Sequence, residues 1–139
     1  MFVSHFDRTI DGAGRLILPP SHRLVLGEVG YMSLYPGCIG LWPPEAWEEF
    51  VDKFDDNKDA TADVRRAKRS LYARAEMARP DSQGRITIPE SLRERGGLDR
   101  EVVVSGAGKH LEIWDRSKWE ELQEEDDAAL EALVAEIRI

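Results

Sequence analysis

The sequence predicts an α+β protein, mainly β, made of two tandem pseudo-symmetric halves. Three observations predict it. The pattern Asp-x-x-Gly-Arg-apolar-x-apolar-Pro occurs from Asp11 to Pro19 and again from Asp81 to Pro89, an offset of 70 in a chain of 139 residues. Ser21, Arg23 and Phe2 recur as Ser91, Arg93 and Tyr72 at that offset, and Trp42, Trp47, Glu48 and Glu49 recur as Trp114, Trp119, Glu120 and Glu121 at offset 72. A unit of about 70 residues buries too little apolar surface to be comfortably stable alone, so the two halves are expected to share one core.

Each half follows one plan. An extended segment, Phe2 to Ile10 or Tyr72 to Arg79, leads into the Asp-x-x-Gly turn. There Gly14 or Gly84 supplies the positive φ of a tight strand-to-strand turn, and Asp11 or Asp81 accepts hydrogen bonds from turn amides. The return strand alternates, with Leu16 and Leu18 or Ile86 and Ile88 on one face and Arg15, Ile17 or Arg85, Thr87 on the other. Pro19 and Pro89 end these strands and suit the start of a short helix, stopped at Gly27 and at Gly96 or Gly97.

A hairpin follows in each half, Tyr31 to Tyr35 with Ile39 to Trp42 around Pro36-Gly37, and Glu101 to Ser105 with His110 to Trp114 around Gly106-Ala107-Gly108. Pro43-Pro44 then opens a helix running to about Phe54, and Asp115 is placed to cap one that continues to the C-terminus. A linker at Asp55 to Ala60 and a basic helix from Thr61 to Leu71 join the halves, so the chain divides into a first repeat (1–58), a connecting basic helix (59–71) and a second repeat with the C-terminal helix (72–139). The tryptophans at i and i+5 in both halves read as pins between sheet and helix in preference to base-stacking platforms.

The formal net charge of −8 argues at first against nucleic acid. Its distribution reverses that. Residues 45–63 hold eight acids against two bases and residues 112–139 ten against three, whereas residues 64–95 hold nine bases against four acids. With screening over roughly 8 Å at physiological salt, the local patch outweighs the total at a contact. The N-terminal Met1 to Arg8 lacks the basic start and apolar stretch of a signal peptide, and no apolar run approaches the roughly 20 residues of a membrane span. A cytoplasmic protein is expected. The single Cys38 forms no intrachain disulfide and reads as a small turn or core residue.

His5, His22 and His110 share no metal-ligand spacing with Cys38 or the carboxylates and read as surface or half-buried residues. Neither a nucleophile-elbow nor a phosphate-loop motif occurs. No enzymatic activity, cofactor, metal or small-molecule substrate is expected.

The doubled Asp-x-x-Gly-Arg motif with its alternating strand and Pro, together with Leu111-Glu112-Ile113-Trp114-Asp115 and a closing helix, resembles the MraZ family over essentially the full length. That resemblance implies a swapped-hairpin barrel of the AbrB/SpoVT class, of double-psi type, made from two halves of one chain. It implies a transcriptional regulator encoded at the head of the bacterial division and cell-wall gene cluster, nucleoid-associated, which forms homo-oligomeric rings and binds short repeats of double-stranded DNA in its own promoter. The DNA-contacting positions it implies are Asp11 and Arg15, with Asp81 and Arg85 as counterparts, and the first-half hairpin as the reader by family analogy. The chain departs from the pattern at Ala13, where the family usually carries Lys, so Arg15 and Arg8 would carry more of the phosphate contact.

On chemistry alone two readings of Asp11–Arg15 and Asp81–Arg85 stand side by side. They are exposed ion pairs that merely close a turn, worth about 0–1 kcal/mol. Or each Asp directs a planar guanidinium toward guanine edges or phosphate. The resemblance selects DNA readout. The alternative is an oligomeric protein-interaction module whose hairpins are only scaffold. Under DNA readout, Arg65, Arg66, Arg69, Arg74 and Arg85 should line one electropositive surface; under the alternative they should be neutralised by acidic helices.

Overall fold

A computed structural model describes residues 1–55 and 61–138. In the first half, β1 (His5–Thr9) leads through the Asp11 turn to β2 (Arg15–Ile17), followed by α1 (Pro20–Leu26), β3 (Gly30–Tyr35), β4 (Cys38–Trp42) and α2 (Pro44–Asp55). After the connecting helix α3 (Ala62–Arg74), the second half repeats the order as β5 (Glu76–Ala78), β6 (Arg85–Thr87), α4 (Glu90–Arg95), β7 (Glu101–Gly106), β8 (Leu111–Asp115) and α5 (Arg116–Ile137).

Local chemistry explains these boundaries. Pro20 opens α1 at a position whose N–H has no helical partner, and Gly27 at φ 81° ends it by donating its N–H to the Arg23 carbonyl. The Thr61 hydroxyl caps α3 by accepting from the Val64 amide at 3.3 Å. Asp115 occupies the position before α5 without capping it; its carboxylate accepts the Asp99 amide at 3.0 Å instead. The linker expected at Asp55 to Ala60 begins in α2, and its remainder lies outside the described residues. The extended segment expected from Tyr72 is partly helical, because α3 runs on to Arg74. Tyr72 is therefore half exposed on a helix, while Phe2, its partner in the repeat, is buried in the core.

Strand pairing crosses between the halves. The main sheet has the order β1-β7-β8-β4-β3-β5, antiparallel throughout. Each half thus lends its first strand to the other half's hairpin, β1 to β7 and β5 to β3. The return strands do not pair back on the strands before them as expected; β2 and β6 pair with each other, with Arg15 opposite Thr87, Leu16 opposite Ile86 and Ile17 opposite Arg85. The described strands close no barrel, since β1 and β5 remain outer strands and the β2–β6 ribbon stands apart.

One core serves both halves. Phe2, Leu16, Leu18, Met32, Ile39 and Leu41 join Ile86, Ile88, Leu92, Val102, Leu111 and Ile113 in a single buried cluster. His22 lies beside it, 2 % exposed, where a surface or half-buried position was expected: its Nε2–H donates to the Val3 carbonyl at 2.6 Å, and Phe2 and Phe6 meet its ring edge-on. Cys38 is buried, and desolvation pushes its thiol far above the usual range.

A second cluster is built mainly from the first half and the connecting helix. Trp42, Trp47 and Val51 pack with Leu71 of α3, flanked by Tyr31, Tyr35, Phe50 and Phe54. Trp42 stacks on Phe50 at 4.5 Å between ring centroids. The second-half pair also pins its helix to the sheet, Trp114 of β8 meeting Trp119 of α5 edge-on at 6.4 Å between ring centroids. Trp114 and Trp119 are only half-buried, because α2 is covered by α3 whereas α5 buries no residue among the described ones.

Candidate nucleic-acid interface

The two motif turns are built alike. Asp11 Oδ1 accepts the Ala13 and Arg15 amides, both at 2.9 Å, while Oδ2 accepts Arg15 Nε at 2.8 Å. Asp81 Oδ1 accepts the Gln83 and Arg85 amides, both at 2.9 Å, and Oδ2 accepts Arg85 Nε at 2.7 Å. Gly14 and Gly84, at φ 80° and 81°, return their amides to the Asp11 and Asp81 carbonyls at 3.0 and 2.9 Å. The left-handed backbone needed there is the reason for glycine.

This bonding fixes the guanidinium by one edge. With Nε engaged by the carboxylate, the Nη1 and Nη2 donors of Arg15 and Arg85 form no hydrogen bond among the described residues. The aspartates stay ionised well into acid. The Arg15 backbone amide first, then its guanidinium, hold the Asp11 carboxyl below its ordinary value, against an opposing effect of desolvation. The Arg85 amide and then its guanidinium do the same for Asp81.

The β2–β6 pairing brings both motifs onto one ribbon. Leu16 and Ile86 point into the core, so the alternation of the strands puts Arg15 and Arg85 together with Ile17 and Thr87 on the opposite face. Arg15 and Arg85 are diagonal neighbours there, roughly 7–8 Å apart at the backbone. The first-half side chain is the more accessible, 42 % exposed against 28 % for Arg85. Arg8 reaches the same ribbon, with Nε donating to the Ile17 carbonyl at 3.2 Å and its guanidinium over the Phe6 ring. Asp11, Arg15, Asp81 and Arg85 therefore lie on the ribbon or its turns, and Arg8 reaches it from β1.

The basic helix does not join them on one element. Leu71 seats α3 on the tryptophan cluster, Arg66 pairs with Asp63 at 3.3 Å, and Lys68 pairs with Asp55. Arg65, Arg66, Arg69 and Arg74 belong to α3 and Arg85 to β6.

Two arginines that carried no role in the sequence reading support the turns across the halves. Arg23 Nη2 donates to the Asp81 carbonyl at 3.1 Å, and Arg93 lies against Gly14. The Leu18 amide donates to the Gly84 carbonyl and the Ile88 amide to the Gly14 carbonyl, each at 2.9 Å. The signal was the recurrence of Arg23 as Arg93. What each one touched was invisible, since both contacts cross to the opposite repeat. Among the described residues no cluster of His, Cys, Asp or Glu could hold a metal ion, and no helix is long and apolar enough to cross a membrane.

Fold and site together define a class: a duplicated α+β chain whose halves exchange strands and present twin Asp–Arg turns on one short ribbon. Comparison with known proteins gives the family. A family profile described as "MraZ protein, putative antitoxin-like" matches residues 1–70 and again 71–136. Curated relatives named "Transcriptional regulator MraZ" include that of Moorella thermoacetica, 38 % identical over 96 % of this chain and 94 % of the relative. Those of Heliobacterium modesticaldum and Lachnoclostridium phytofermentans are 35 % and 36 % identical, over 89 % and 86 % of this chain and 87 % and 85 % of theirs. This chain belongs to the MraZ family.

Proposed function

We propose that this protein is a sequence-specific DNA-binding transcriptional regulator of the bacterial division and cell-wall gene cluster, acting at the nucleoid. It binds short double-stranded repeats in its own promoter as a ring-like homo-oligomer. Asp11, Arg15 and Arg8, with Asp81 and Arg85, are its DNA-contacting residues. The names of its relatives support the regulatory role. The exchange of β1 and β5 between the two repeats, which α3 connects, supports the swapped-hairpin architecture of the AbrB/SpoVT class, with repeats at 1–58 and 72–139 and the connection at 59–71.

The observation that carries DNA readout is the β2–β6 ribbon with Arg15 and Arg85 on its outer face. A two-stranded ribbon fits the major groove of B-DNA, and an arginine fork bonds both acceptors of a guanine edge. Held through Nε, each guanidinium keeps its Nη groups for that edge or for phosphate. One ribbon makes few phosphate contacts. Several copies on one DNA raise affinity through effective concentration, and the acidic α2 and α5 disfavour non-specific DNA.

The test is an anisotropy titration of the DNA upstream of the protein's own gene, comparing the parent with Arg15→Ala at matched salt. Loss of specific binding by a folded variant establishes the ribbon as reader. A parent that does not prefer this DNA over random sequence refutes the reading and leaves the protein-interaction module.

A further inference from the structure

Ile17 stands between the two arginines of the ribbon. Its side chain is 52 % exposed on the outer face, directly opposite Arg85 across the β2–β6 pair and two residues from Arg15 on its own strand. A single exposed isoleucine is ordinary on a protein surface. This one occupies the middle of the face that carries both guanidinium groups. The duplication supplies an internal comparison: the matching position of the second repeat holds Thr87, opposite Arg15, so each arginine of the ribbon has a different neighbour.

The backbone beneath Ile17 is held on several sides. Ile17 pairs with Arg85, its carbonyl accepts Arg8 Nε at 3.2 Å, and the following amide, of Leu18, donates to the Gly84 carbonyl at 2.9 Å. Leu16 and Leu18 on either side are buried, which fixes the strand against rotation. A β-branched side chain on such a strand has little χ1 freedom to lose on contact. Spacing adds a second argument. Directly opposed residues have Cβ atoms about 4.5–5.5 Å apart, and two residues along a strand advance roughly 6.8 Å, which is one to two base-pair steps of about 3.4 Å. A ribbon in the major groove that bonds guanines through Arg15 and Arg85 therefore presents Ile17 to a base pair beside them.

We infer that Ile17 is a specificity-determining residue that reads the C5 methyl group of a thymine next to a guanine bonded by the ribbon arginines. Among the groups that the four bases offer in the major groove, the thymine methyl is the apolar one, and apolar side chains recognise it. Cytosine in the same place brings an N4 amine that Ile17 has no acceptor for, so the wrong base leaves a donor without water or partner. The Thr87 hydroxyl both donates and accepts, and its end of the ribbon takes bases of either kind. The duplicated ribbon thus reads an asymmetric sequence, restricted to thymine at the Ile17–Arg85 end and freer at the Arg15–Thr87 end. The inference rests on the proposed DNA readout and names one base that it selects.

The experiment uses the full chain and the DNA upstream of its gene, prepared with thymine or with uracil throughout, two bases that differ only by the methyl group. Anisotropy titrations at one salt concentration compare the parent with Ile17→Ser, Ile17→Val and Leu24→Ser, the last an exposed apolar residue of α1 bordering the same cleft as Ile17. Circular dichroism and light scattering verify the fold and mass of each variant. The parent should bind the thymine duplex about fourfold tighter for each methyl contact, the factor for burying one carbon group. Ile17→Ser should bind both duplexes alike, whereas Ile17→Val and Leu24→Ser should keep the parent's preference. Replacing thymines by uracil one at a time should trace that preference to positions beside a guanine. A parent that prefers its own DNA over random sequence yet binds the two duplexes equally would overturn the inference and leave DNA readout standing. A parent with no preference for its own DNA would overturn both. An Ile17→Ser protein that keeps the thymine preference would assign the methyl to another residue or to DNA shape and overturn the inference. Loss of the preference in Leu24→Ser as well would assign it to the shared cleft, with the same consequence. A folded Ile17→Ser protein of altered mass would place Ile17 in a contact between copies and overturn it too.

Discussion

The guanidinium of Arg93, from the second half, closes over Gly14 of the first: a Cβ on Gly14 would stand 3.2 Å from Arg93 Cζ and 2.9 Å from the Ile88 carbonyl oxygen. The mirror contact is looser, since a Cβ on Gly84 would meet only the side chain of Arg23, its nearest atom Nη1 at 3.1 Å. Both glycines have left-handed φ, so alanine at either position costs about 1–2 kcal/mol in backbone strain. Gly14→Ala adds a clash with backbone that cannot rotate away, about 1 kcal/mol more. Urea unfolding should therefore rank Gly14→Ala below Gly84→Ala in stability. Equal midpoints would show that the two turns are packed alike.

The turns should also respond to acid in a defined direction. Asp11 and Asp81 are depressed in the folded protein relative to an ordinary value of 3.8. A depressed carboxylate contributes stability that is fully present above its unfolded value and is lost as pH falls through the folded one. The hydrogen-bonded turns should stay intact from neutral pH to about 4 and open below that, together with the ribbon. Amide exchange at Gly14 and Gly84 across this window reads the change. Asp11→Asn and Asp81→Asn should remove the pH dependence at their own turns.

DNA binding, on the proposed reading, distinguishes the two arginines. Arg15 is the more exposed, so Arg15→Ala should cost more affinity than Arg85→Ala. A lost guanine fork is worth about 1–3 kcal/mol, which is roughly 5- to 150-fold per contact. Arg15→Lys should restore little, because an ammonium lacks both the fork and the Nε bond to Asp11. Titrations at several salt concentrations complete the test. An affinity that does not fall as salt rises would exclude phosphate neutralisation as a source of binding.

The duplicated tryptophans should not be equivalent. Trp42 is 2 % exposed and stacks on Phe50 and His110, so Trp42→Ala should cost about 3–5 kcal/mol. Trp114 is only half-buried, donating its Nε1–H to Glu112 at 3.0 Å, and Trp114→Ala should cost about 1–2 kcal/mol. Denaturant midpoints of the two variants measure the difference directly.

Much of the site was legible locally. The Asp11 and Asp81 turns, the positive φ of Gly14 and Gly84, and the inward Leu16, Leu18, Ile86 and Ile88 all follow from interactions within a few residues, which spacing and residue type encode. The hairpins around Pro36-Gly37 and Gly106-Ala107-Gly108 were legible for the same reason. Asp115 was not, because its carboxylate had a choice between capping α5 and the Asp99 amide sixteen residues back.

The sequence by itself determined the duplication, the turns that carry Asp11–Arg15 and Asp81–Arg85, and the face on which each arginine stands. Only the tertiary structure decided that β2 pairs with β6, that Arg23 and Arg93 cross to the opposite repeat, and that Trp42 is buried while Trp114 is not. The physical reason is the nature of the interactions. Alternation with a period of two states which side of a strand is apolar. The backbone hydrogen bonds that choose its neighbour are the same for every residue, and that choice is settled by how the whole chain buries its apolar faces at once.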